Sequence, residues 1–166
     1  MALVLDGNGT MTVGNGDITG ITRGAIESTA IGAGAVLQVV SANTTTSTTT
    51  SSSSFVATSL SATITPISTS SKIFIIVAGG VIRASAGNQI YMTIYRGATN
   101  LGSATRGLSQ MNGNASSDWP PALSYYDGPA TTSSTTYAVY VATTGSTIYF
   151  EVDAVPCTMT LMEIAG

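Results

Sequence analysis

KIFIIVAGGVI, residues 72–82, is the longest apolar run in the chain, and its reading sets the fold. It is far too short to cross a bilayer as a helix, which takes about 20 residues. Isoleucine and valine dominate it, glycine interrupts it, and nothing in it favours a helix cap. The run therefore reads as a β-strand buried on both faces.

The sequence on either side supports an all-β reading. SLSATITP (59–66) alternates Leu60, Ala62 and Ile64 with serine and threonine. QIYMTIYRG (89–97) places Ile90, Met92 and Ile94 on one face and Tyr91, Thr93 and Tyr95 on the other. TYAVYVATTG (136–145) and STIYFEVD (146–153) read as two strands joined by a hairpin-like turn at Thr144-Gly145, and CTMTLMEIA (157–165) as a last strand. Only RGAIESTA (23–30) could form a helical turn, and it lacks an apolar face. The predicted architecture is an antiparallel β-sandwich, jelly-roll-like, over residues 36–166. Its predicted core comprises Ile73, Ile75, Val77, Ile90, Met92, Ile94, Val139, Val141, Ile148, Phe150, Leu161 and Ile164.

SANTTTSTTTSSSS (41–54) lies between apolar segments that read as the first and second strands. Threonine suits a half-buried pleat and solvates an outer face without charge. The tract is expected to be a polar hairpin or edge crossing, with a linker as the alternative; a glycan stalk would carry proline. Residues 1–35 differ from the rest. They are glycine-rich, with brief apolar beats that include Leu3, Leu5, Val13, Ile18 and Ile21, too few for a core of their own. They read as an extended N-terminal docking arm, ordered by adding strands to a neighbour's sheet edge.

Charged residues make up 8% of the 166, against roughly 25% in ordinary globular domains. Serine, threonine, asparagine and glycine do the solvating instead, while 43% of the residues are hydrophobic. Such a surface suits burial against other chains. The net charge of −3 and five dispersed cations leave no basic stripe for nucleic acid. No signal peptide or membrane-spanning helix is readable, so synthesis in a cytoplasm and no membrane insertion are expected.

Catalytic chemistry is not expected. The chain has no histidine, which removes the commonest general base and metal ligand. Cys157, the single cysteine, alternates with Met159 and Leu161 as a core residue would. Glu151 and Asp153 read as outer-face residues where a strand ends in solvent, not as a carboxylate pair across a cleft. Asp118 and Asp127 open DWPP and DGP, which look like turn entries. The GNG repeats at 7–9 and 14–16 lack the lysine and helix of a phosphate loop, and too few acids accompany them for calcium. No cofactor or metal is implied. Trp119, Tyr125 and Tyr126, close together in WPPALSYYDGP, are candidate glycan contacts, weighed against ordinary packing.

GAVLQVVSA, SFVATSLSATITP, STSSKIFIIVAGG, IYRGATNLG, SYYDGPATTSSTTYAVYV and TMTLMEIAG, taken in order, resemble the C-terminal sandwich domains of tailed-phage (cyanophage-like) tail fibre proteins. The resemblance covers roughly residues 34–166. It implies a non-enzymatic, homotrimeric protein of the virion exterior, with phage capsid or tail proteins as partners. About 35 residues precede the sandwich, where a fibre would carry a long shaft. Capsid decoration is therefore expected ahead of a short tail fibre or receptor-binding protein. A carbohydrate-binding adhesin, with a host-surface glycan as partner, is the remaining alternative.

Overall fold

A computed structural model describes residues 32–84, 87–113 and 117–166, and residues 32–166 form one compact unit. No helix occurs among the described residues. One sheet runs β1 (Val36–Thr44), β13 (Cys157–Ile164), β4 (Lys72–Gly79), β10 (Ala122–Asp127). The second runs β3 (Val56–Ile64), β11 (Thr135–Thr144), β6 (Gln89–Arg96), with β7 (Thr99–Asn100) and β8 (Ser109–Asn112) both paired to β6. A third, of short strands, runs β2 (Thr48–Thr50), β12 (Ile148–Phe150), β5 (Ile82–Ala84), β9 (Ser117–Trp119). Every strand pairing is antiparallel.

The principal strands in chain order are β1, β3, β4, β6, the β7–β8 segment, β10, β11 and β13. The first sheet takes the first, eighth, third and sixth, and the second takes the second, seventh, fourth and fifth. The chain crosses between sheets at nearly every connection, which is the double Greek key of a jelly roll. The third sheet is built from the four connections at one end of the sandwich and closes that end.

The core lies between the two large sheets. Ile73, Ile75 and Val77 of β4 and Met159 and Leu161 of β13 face Leu60 and Ile64 of β3, Ile90, Met92 and Ile94 of β6, and Val139 and Val141 of β11, all buried. Ile148, Phe150, Ile82 and Ala84 extend this core under the third sheet. Cys157 is also buried, in the alternation its sequence suggested.

Several expectations are corrected. The 72–82 run is not one strand buried on both faces. β4 alternates buried and half-buried residues, then stops at Gly79. Gly79 and Gly80 have φ of 84° and 74°, a conformation natural to glycine, and the chain passes there into β5 of the third sheet. Thr144-Gly145 does not close a hairpin, because β11 and β12 belong to different sheets. Ile164 is half-buried, since the β13 alternation turns Glu163 inward instead. Asp118 lies within β9, not at a turn entry.

The Ser/Thr tract is an edge crossing rather than a linker. It completes β1 of the first sheet, supplies β2 of the third, and leads to β3 of the second, which starts at Val56. Its hydroxyls hold the crossing together: Thr44 Oγ1 and Ser59 Oγ are 2.9 Å apart, and Ser59 Oγ donates to the Thr46 carbonyl at 2.8 Å. At the other end of β1, Gly34 N–H donates to the Ala165 carbonyl at 2.8 Å. Pairing with β13 thus begins at Gly34, two residues before the predicted boundary.

Candidate functional site

The predicted arm residues Leu3, Leu5, Val13, Ile18 and Ile21 lie outside the described residues. The candidate glycan contacts do not share one surface. Trp119 stands opposite Ile82 and packs on the core, as does the half-buried Tyr125. Tyr126, the next residue on β10, points the other way and is 55% exposed.

Glu151 and Asp153 are also separated. Asp153 is exposed and accepts from Arg83 Nη2 at 3.1 Å, while Asp118 takes the Arg83 Nε and Nη2 protons at 2.6 and 2.7 Å. Arg83 in turn holds the Asp118 carboxyl below the usual carboxylate range. Glu151 is buried at 1% exposure, and neither carboxylate oxygen has a hydrogen-bond partner among the described residues. Burial pushes it up to about 7. Burial, reinforced by the nearby Glu151, pushes the Cys157 thiol up to about 12. This thiol is therefore a poor source of thiolate near neutral pH. Among the described residues no group of three or more acids and cysteines is placed to hold a metal ion.

Two outward faces remain. On the β1–β13–β4–β10 sheet, Val39 pairs with Met162, Met162 with Phe74, and Phe74 with Tyr126. These four side chains form an apolar ladder across all four strands. Val39 and Tyr126 are exposed at 57% and 55%, and Met162 and Phe74 are half-buried. The next rows are Ser41, Thr160, Ile76 and Ser124, then Asn43, Thr158, Ala78 and Ala122. Lys72, in the row at the opposite margin, is the one charged residue in these outward positions.

The second sheet carries a cleft of about 630 Å³ on its outward face. Tyr91 and Tyr95 of β6 and Thr144 of β11 line it, together with Ser53, Ser54 and Phe55 before β3 and Ala104, Thr105 and Arg106 between β7 and β8. Tyr95 stacks on Tyr140 with ring centroids 3.9 Å apart, and Phe55 meets Tyr95 edge-on at 6.4 Å. The alternation in QIYMTIYRG already placed Tyr91 and Tyr95 on one face. That residues 53–55 and 104–106 converge on them depends on the crossing topology, which no local pattern records.

No family model and no curated protein matches this chain. A solved structure of infectious bursal disease virus, Gt strain, is similar at 12% identity with a TM-score of 0.41, covering 79% of this chain and 39% of that one. The chain thus spans about two fifths of the length of that viral chain.

Proposed function

We propose that this chain is a non-enzymatic structural protein of a phage virion exterior, assembled as a homotrimer and docked through residues 1–31. Capsid decoration is the preferred placement. The observation that carries this reading is the Val39–Met162–Phe74–Tyr126 ladder. A row of apolar side chains spanning a whole sheet, with hydroxyl and alanine rows beside it, is a surface suited to burial against another protein. Further copies of the chain fit, because each presents the same face with Lys72 as its one charge, and three-fold closed symmetry gathers three such faces around one axis. The low overall charge and the resemblance of residues 34–166 to phage sandwich domains support the same reading.

Light scattering tests the assembly. The protein should give a trimer mass at micromolar concentration, and the double variant Val39→Glu/Tyr126→Glu should give a monomer that melts normally. A monomeric parent protein would overturn the proposal. Placement is tested by adding labelled protein to particles that lack it and imaging where the label sits; label confined to the tail would exclude capsid decoration.

A further inference from the structure

The cleft on the second sheet has a composition that calls for a ligand of its own. Three aromatic residues line it, the half-buried Tyr95 and Phe55 and the buried Tyr91. Its rim is hydroxylic, from Ser53, Ser54, Thr105 and Thr144, and among the described residues no acid lines it. Among the described residues its single charge is Arg106. Arg83 is paired with Asp118 and Asp153, and Arg96 with Asp127, but among the described residues no carboxylate pairs with Arg106. Its Nη1 donates instead to the neutral Gln110 Oε1 at 2.8 Å, which orients the guanidinium without neutralising it.

Both walls are fixed in advance. Ser103 and Gly107 exchange backbone hydrogen bonds at 3.0 and 2.9 Å, and the Leu108 N–H donates to the Met92 carbonyl at 2.8 Å, anchoring the Arg106 loop to β6. Opposite, Thr143 N–H donates to the Ser52 carbonyl at 2.9 Å, and Ser52 Oγ accepts from Ser54 N–H at 3.0 Å. The Tyr140–Tyr95–Phe55 contacts fix the aromatic lining. A site this constrained loses little entropy on binding.

We propose that this cleft binds an acidic saccharide, a uronate-containing glycan. The apolar C–H face of a pyranose packs on the aromatic side chains, the rim hydroxyls exchange hydrogen bonds with sugar hydroxyls, and the uronate carboxylate pairs with Arg106. The inference stands apart from the assembly reading, because it concerns the other sheet and shares no residue with the ladder.

Isothermal titration with tetragalacturonate, its fully methyl-esterified form and neutral cellotetraose tests it. The free acid should bind, and the ester and the neutral oligomer should bind at least about tenfold more weakly, the scale of one charge-assisted pair. Arg106→Gln, at an exposed loop position, should lose about tenfold or more. Ala104→Trp, which fills the cleft from the same loop, should abolish binding. Tyr126→Ser, on the opposite sheet, should leave it unchanged. Absence of tetragalacturonate binding at millimolar concentration, equal binding of the ester, or retention of affinity in Arg106→Gln would each overturn the proposal.

Discussion

Tyr137 and Asp127 meet inside the sandwich: the phenol of β11 donates to Asp127 Oδ2 at the end of β10, 2.7 Å away, joining the two large sheets. Arg96 of β6 completes the arrangement, with Nη1 2.9 Å from both carboxylate oxygens. Burial, then the adjacent carboxylate, holds the Tyr137 phenol well above its ordinary range, so it remains a donor at every accessible pH. Tyr137→Phe keeps the ring but removes this donor, and should cost about 1–3 kcal/mol. Asp127→Ala should cost more, because it strands both partners. Urea unfolding at pH 7 measures both; a Tyr137→Phe midpoint equal to the parent's would show that the bond contributes nothing.

The hydrophobic core makes a simpler prediction. Ile75 and Ile94 are completely buried on facing sheets. Each truncation to alanine should cost about 2–5 kcal/mol, by lost transfer energy and the cavity left behind. Thermal melting of both variants checks it, and parent-like melting would contradict the packing.

Ile94 is legible in the sequence because period-2 alternation records which face is buried, whereas Ile75 stands in an apolar run whose alternation hydropathy hides. The same rule identified Leu60, Ala62, Ile64, Met159 and Leu161. Along β13 the same alternation runs on to Glu163, against hydropathy, and leaves Ile164 facing outward. Glu163 holds this inward position because Gln38 Nε2 and the Ile67 N–H satisfy its carboxylate at 2.5 and 2.7 Å. Hydropathy failed at Gly79-Gly80, where a backbone turn divides one apolar run between two sheets. The outward ladder and the cleft were harder still. Each is assembled from segments distant in sequence, so their residues looked like ordinary packing until the strand order brought them together.

Glu151, at a position the sequence assigns to an outer face, is buried, and its burial gives a pH dependence with a definite sign. Its carboxyl titrates near 4.5 when unperturbed and at about 7 in the fold. A raised folded value means that the native state holds the proton more tightly than the unfolded chain does. The stability from this group is complete below pH 4.5 and is lost as pH rises through 7. Its full size is about 3 kcal/mol as an upper bound, at 1.36 kcal/mol for each pH unit. Cys157 does not blur this window, since its thiol is pushed up to about 12. The parent should therefore be more stable at pH 5 than at pH 8.5, and Glu151→Gln should remove most of that difference. Unfolding midpoints at the two pH values test this; an unchanged difference in Glu151→Gln would assign it to other groups.

The division of labour between arm and sandwich is the remaining prediction. Residues 32–166 form a compact unit with its own hydrophobic core. A chain beginning at Gly32 should therefore fold, and it should trimerise, because the whole ladder is retained. If the arm is the docking element, this shortened protein should fail to decorate particles that lack the parent. Three arms on one trimer would act together, so that losing them removes weak contacts multiplied by effective concentration. The expected loss in occupancy is consequently large, on the order of a hundredfold or more in apparent affinity. Co-sedimentation with particles measures it, and the same samples in light scattering report the oligomer. Normal decoration by the shortened trimer would move docking to the sandwich. A folded monomer that decorates nothing would instead place trimerisation in the arm and leave the ladder without its proposed partner.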